Sequence, residues 1–224
     1  MTPDNPLYRA AVWIVPLVVA IVFHEVAHGW VAKWLGDPTA ASLKRLSFNP
    51  LRHVDPVGTV ILPVGLAVAG APVFGWAKPV PVVSAKLRNP RVGMMLVALA
   101  GPGMNVLLAT LGAVGLGLTY AFTGGAAGVL ADIFFAFIAV NVFLAVFNLL
   151  PLPPFDGGHV VEGLLSRPLA ARWAAFGRYG FLLLIALLLV LPALVPGANL
   201  VERIVAPPAR AATAAFLDLA RAIG

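Results

Sequence analysis

Two histidines and a glutamate, His24, Glu25 and His28, stand in the apolar run Val22-Phe23-His24-Glu25-Val26-Ala27-His28-Gly29. On a helix, residues four apart lie one turn apart on the same face, so both imidazoles can reach one ion with the carboxylate beside them. Neutral imidazole suits zinc, and a histidine pair leaves coordination positions for a further ligand and for water. A carboxylate next to that water can take its proton, which is the chemistry of metal-assisted hydrolysis. With four His and nine acidic residues in 224, the pattern arises by chance in on the order of a few chains per thousand. The competing reading is a pair of structural histidines. An ionisable trio at membrane depth is expensive, however, and is functional by default.

A third ligand has to be His, Asp or Glu, because the chain contains no cysteine. Asp156 is one candidate. It follows Asn148-Leu149-Leu150-Pro151-Leu152-Pro153-Pro154-Phe155, where three prolines force an extended exit from a helix, and it precedes Gly157-Gly158, which permit a close turn. That turn brings Asp156 to the membrane face of His28 if the two intervening segments both cross. An Asp at a glycine turn is also a common turn former. His159 is a competitor for the metal or a hydrogen-bond partner of a ligand. His53 and Asp55 form another pairing, but an Asp before Pro at the start of an apolar run is ordinarily a helix cap. Asn105 must find a partner inside the bundle, and Asn141 and Asn148, seven residues apart, share one inward face.

The elements that must position these residues are membrane helices. The chain is 61% hydrophobic and 11% charged, the composition of an all-α polytopic membrane protein, and 224 residues allow about five or six transmembrane or re-entrant segments. The net charge of +6 comes from short loops flanking apolar runs, which argues for positive-inside anchoring and against nucleic-acid binding. The first segment, residues 10–35, carries the histidines in its second half. It is retained as a helix, since no cleavage-site pattern follows it. Tyr8 and Trp13 mark one aromatic belt, and Trp30 and Trp34 the other. At 1.5 Å per residue, His28 lies about 10 Å inside the segment's end. Lys44, Arg45 and Arg52 then assign the following loop to the cytoplasm.

Residues 57–73 are apolar but short and broken by Pro63, Gly65, Gly70 and Pro72, with basic loops on both sides. A re-entrant hairpin near the cytoplasmic face is expected there. Residues 74–83 have the proline spacing of an extended strand, which is either a free edge for another peptide or a rigid connector. Residues 92–122 and 128–150 form two further crossings, joined by an uncharged glycine-rich loop at 123–128. Gly112, Gly115 and Gly117 are packing notches in the first of them. Residues 172–196 form a fifth segment. Residues 199–223, with widely spaced arginines, form an interfacial amphipathic helix or a weak last crossing. The whole reads as one membrane-embedded domain, residues 1–224, with a core at about 10–165.

Taken together, the motifs resemble the site-2 protease family of intramembrane zinc metalloproteases. The matching stretches are His-Glu-Val-Ala-His at 24–28, Trp-Ala-Lys-Pro at 76–79, Gly-Pro-Gly-Met-Asn at 101–105, and Asn148 to Pro151 with Pro153 to Gly157. The resemblance implies His24, His28 and Asp156 as ligands of one Zn²⁺ and Glu25 as catalytic base. Asn148 matches the position that engages the substrate backbone, and Asn105 is a weaker substrate-binding candidate. It also implies cleavage of transmembrane helices of other proteins in regulated intramembrane proteolysis. The expected location is a bacterial inner membrane, with the site nearer the cytoplasmic face. The chain looks most like the compact branch without PDZ or CBS domains. The alternative class is a metal-ion transporter or metal-binding membrane protein, whose polar residues would run the whole membrane depth. Here they concentrate towards one face, apart from Asn105, Asp132 and Asn141.

Overall fold

The computed structural model describes residues 5–70, 75–123, 128–195 and 197–224. Its trunk is three long apolar helices: α1 (Pro6–Trp34), α3 (Pro90–Thr123) and α4 (Val129–Asn148). Asn5 caps α1 by accepting from the Leu7 amide at 2.9 Å, and Pro6 at the first helical position needs no partner for a missing N–H. Between α1 and α3 lies α2 (Pro56–Val68), which starts as a π-turn capped by Asp55. After α4 come α5 (Asp156–Leu164), α6 (Arg167–Gly177), α7 (Gly180–Leu194) and α8 (Ala206–Ile223).

In lipid, burying apolar surface between helices gains little, so close packing must come from small residues and from polar groups bonded across helices. Both are present. Gly112 and Gly115 of α3 face Ile138 and Phe134 of α4, and Gly117 faces Ala220 and Ile223 of α8. A core of Ala109, Ala113, Leu116, Ala131 and Ile138 is closed by Ala209 and Ala220. At the other end of α8, Val205 packs with Leu150 and Phe155, so α8 lies alongside the trunk from the Phe155 end to the Tyr120 end. At the end of α1 away from the histidines, the Tyr8 hydroxyl donates to Asp132 at 2.5 Å and ties α1 to α4.

The expected five or six transmembrane or re-entrant segments are not found. Among the described residues three helices are long and apolar enough to cross a membrane, or four if the bent pair α6–α7 is one span. Apolar run length does not measure helix length. The run at 57–73 contains only the 13-residue α2, about 20 Å long against a hydrocarbon core of about 30 Å, and its end at 71–73 lies outside the described residues. The run at 172–196 is split into α6 and α7, bent by 64° at Arg178–Tyr179. Residues 199–223 are amphipathic, with Arg203, Arg210, Asp218 and Arg221 exposed. The glycine-rich loop falls mostly on residues 124–127, outside the described residues, as does Phe74.

The short extended hairpin expected near the cytoplasmic face, with its strand at 74–83, is likewise replaced by something less regular. No strand is assigned among the described residues. Residues 75–83 are extended, and two backbone bonds tie them to the preceding loop, from Trp76 N–H to Gly58 O at 3.1 Å and from Lys78 N–H to His53 O at 2.8 Å. Pro79 and Pro81 then remove the donors a ladder would need.

A buried three-ligand centre between the first helix and the proline turn

The histidines sit on α1 as helical periodicity demands, their ring centroids 4.6 Å apart and nearly perpendicular. Their Nε2 atoms are 3.0 Å apart. Opposite them, α3 supplies a wall from one face, at positions 97, 101 and 105. The Val97 carbonyl lies 2.7 Å from His28 Nδ1, and Asn105 Oδ1 lies 2.6 Å from His24 Nδ1. Between them Gly101 leaves the space the two rings fill, since a methyl group there would overlap both imidazoles.

Asp156 arrives from the other side as the first residue of α5. The turn before it is packed so tightly that a Cβ on Gly157 would overlap the carbonyls of Leu149 and Leu150, and one on Gly158 would press on Leu152 and Pro153. α6 and α7 brace the turn from outside. The Trp173 indole donates to the Gly158 carbonyl at 2.8 Å, and Gly180 rests against Pro153 and Pro154. Asp156 Oδ2 ends 3.2 Å from His24 Nε2 and 3.5 Å from His28 Nε2.

Donor chemistry tests whether these three residues suit a metal ion. Val97 O can only accept, so His28 carries a proton on Nδ1, and as a neutral imidazole it turns a bare Nε2 inward. His24, with its Nδ1 on an amide oxygen, does the same. Two lone pairs and a carboxylate oxygen then face one another, and Asp156 Oδ2 is buried without a hydrogen-bond donor. Such a cluster is costly unless a cation lies within it. Tetrahedral zinc with ligands at about 2.0–2.1 Å separates its ligand atoms by about 3.3 Å, and the observed 3.0, 3.2 and 3.5 Å bracket that value. Three protein ligands leave a fourth position for water, the pattern of a catalytic site. The cluster can hold one Zn²⁺.

Glu25 lies beside the trio, half buried, and the Val80 amide donates to its Oε2 at 2.8 Å. Val80 stands between Pro79 and Pro81, so it carries the only N–H of that triplet. The amides of Trp76, Lys78 and Val80 all turn inward, to Gly58, His53 and Glu25. The outward edge of residues 77–81 retains one amide, on Ala77, which blunts it for strand pairing.

The other candidates supply no ligand to the cluster. His159 pairs with Glu162 at 3.5 Å, partly exposed, within α5. Asn148 donates to Leu144 O on its own helix at 2.9 Å. Asn105 stands behind His24 and is 0% exposed, so its amide serves the site from within. Asp55 caps α2 through the Val57 and Gly58 amides, while His53 bonds Ser47 O, so that pair makes no second centre. Val97, Val80 and Trp173 were not legible beforehand, because two act through backbone atoms and the third through a remote indole. Gly101 and Asn105 did carry a signal: their four-residue spacing matches that of the histidines they face.

The comparisons bear on the same residues. The family model for peptidase family M50 matches residues 119–189, which include Asn148 and Asp156. YwhC of Bacillus subtilis, named as a candidate zinc metalloprotease, is 37% identical over 190 residues, covering 81% of this chain and 82% of the relative. Rip2 of Mycolicibacterium smegmatis and Rip2 of Mycobacterium tuberculosis, named likewise, are 32% and 30% identical, each covering 85% of this chain and 72% of the relative. No solved structure matches the chain. A buried His-His-Asp centre in a multi-pass helical protein, with relatives of this kind along most of its length, places the chain in peptidase family M50, the site-2 protease family of intramembrane zinc metalloproteases.

Proposed function

We propose that this zinc-dependent endopeptidase cuts other membrane proteins in or beside their transmembrane helices, with His24, His28 and Asp156 as the metal ligands and Glu25 as the catalytic base. The observation that carries this reading is the convergence of Asp156 with the histidine pair in a buried cluster open to a fourth ligand. Zinc held by His24, His28 and Asp156 would supply a Lewis acid that eases loss of a proton from water. Glu25 would take a proton from the attacking water and return it to the departing amine. The Val80 amide holds one of its carboxylate oxygens, so the base meets the water in a fixed orientation. A helical substrate hides its carbonyls in its own hydrogen bonds, so it must unwind locally before attack. In this reading Asn148, the last residue of α4, receives the freed backbone; in support, it stands where the proline turn that carries Asp156 begins.

The catalytic core is residues 10–165 within one membrane-embedded domain, in a bacterial inner membrane, with the centre towards the cytoplasm. In support, Lys44, Arg45 and Arg52 lie between α1 and α2, and Lys78, Lys86 and Arg88 between α2 and α3, on the stretch that leaves α1 beside the site. Glu25→Gln in reconstituted bilayers is the test. Stoichiometric zinc should remain while cleavage of a model membrane substrate falls by at least about a hundredfold. Undiminished cleavage would remove Glu25 from its role, and zinc-dependent uptake into vesicles insensitive to Glu25→Gln would favour transport instead.

A further inference from the structure

The two histidines differ in what holds the nitrogen facing away from the metal position. His28 Nδ1 rests on a backbone carbonyl, which accepts and never donates. His24 Nδ1 rests on the side-chain amide of Asn105, which could present either its oxygen or its NH₂. With the oxygen towards the ring, His24 keeps its proton on Nδ1 and Nε2 is free to ligate. With the NH₂ towards the ring, Nδ1 becomes the acceptor and a hydrogen sits on Nε2, where the lone pair is needed.

The direction is set two residues away. Asn141 Nδ2 donates to the Phe137 carbonyl at 2.8 Å, an acceptor that cannot be reversed, so the Asn141 oxygen faces Asn105. Asn105 Nδ2 donates to that oxygen at 2.8 Å and more weakly to Ala20 O at 3.3 Å. Its oxygen is thereby left for His24. Both asparagines are 0% exposed, which keeps water from substituting for either partner.

We propose that Asn141 and Asn105 are positioning residues, forming a one-way relay from the Phe137 carbonyl that fixes the metal-binding tautomer of His24. This rests on the zinc reading above but is tested without proteolysis. In the full chain in detergent, zinc affinity is measured by competition with a chelating dye, alongside the visible spectrum of the cobalt-loaded protein. Asn141→Leu should raise the zinc Kd about tenfold and weaken the tetrahedral cobalt bands, and Asn105→Leu should raise the Kd by up to about a hundredfold. Ionised, Asn105→Asp presents only acceptors to His24, so the direction no longer needs Asn141. In that background Asn141→Leu should change the Kd by less than about twofold.

Equal losses in both backgrounds would assign Asn141 to packing and overturn the relay. If Asn141→Leu does not fold, Asn141→Ala takes its place in both backgrounds: a loss of zinc affinity confined to the Asn105 background supports the relay, and equal losses overturn it. Absence of stoichiometric zinc from the unsubstituted protein would overturn relay and metal centre together, whereas inactivity of a zinc-loaded protein would touch only the proposed function.

Discussion

The histidine pair and Asp156 reach the same point in space by different physical routes. His24 and His28 share a face because an α-helix repeats every 3.6 residues, and any helix through residues 24–28 would bring them together. Asp156 has no such guarantee. Its place depends on a proline turn with glycines pressed against carbonyls, an indole bond from α6 and a bent helix pair wrapped around Pro153. One half of the centre is local and periodic, and the other is long-range. The first should be broken only by changes in the wall it faces, the second by changes at a distance.

The largest effect is expected at that wall. Gly101→Leu would drive a side chain into both imidazoles, and stoichiometric zinc should be lost while the detergent-solubilised protein keeps its helix content by circular dichroism. Zinc bound with wild-type affinity would show that α3 and α1 are not apposed as described. Next comes the turn. Gly157→Ala puts a methyl group against the Leu149 and Leu150 carbonyls, and an Asp156 displaced by about 1 Å should cost about a hundredfold in cleavage rate. A rate within threefold of the unsubstituted protein would make the turn as tolerant as the helix and erase the distinction.

Trp173→Phe sharpens the comparison, because it touches neither ligand nor substrate. Loss of one buried hydrogen bond to Gly158 O, about 1 kcal/mol, should lower zinc affinity about fivefold through Asp156. An unchanged Kd would confine support of Asp156 to the turn itself.

The smallest effect concerns Asp37, which ends the loop after α1 and clasps the extended segment by accepting from the Val83 amide at 2.6 Å. Burial alone would raise its carboxyl, but bonds from the Thr39 hydroxyl and the Val83 and Thr39 amides, with Lys86 nearby, hold it below the ordinary carboxylate value. The clasp is therefore fully present above that ordinary value and is lost as pH falls through the depressed one. Amide exchange at residues 82–84 should accelerate only in that acid range, and Asp37→Asn should remove the pH dependence. A pH-dependent acceleration that survives Asp37→Asn would place the acid-sensitive group elsewhere.

Much of the centre was legible because its signals are short-range. The four-residue spacing of His24 and His28, the prolines before Asp156 and the glycines after it each constrain a few neighbouring residues, and composition sufficed to assign helices in a membrane. The number of crossings was not legible in the same way. Residues 57–73 are largely apolar, as are residues 172–196 apart from Arg172 and Arg178, but where a helix stops or bends depends on what packs against it, as at Arg178–Tyr179 beside Pro153. Hydropathy therefore records which residues tolerate lipid and leaves their path open.

The sequence by itself determined the ligand types, the shared face of the histidines and the absence of thiolate chemistry, since these follow from side-chain identity and helical period. Only the tertiary structure decided that Asp156 completes the trio, that Asn105 stands behind His24, and that the Val97 carbonyl and the Val80 amide orient His28 and Glu25. Backbone groups are chemically the same at almost every position, so no letter of the sequence announces which carbonyl or amide a fold will bring to a ligand.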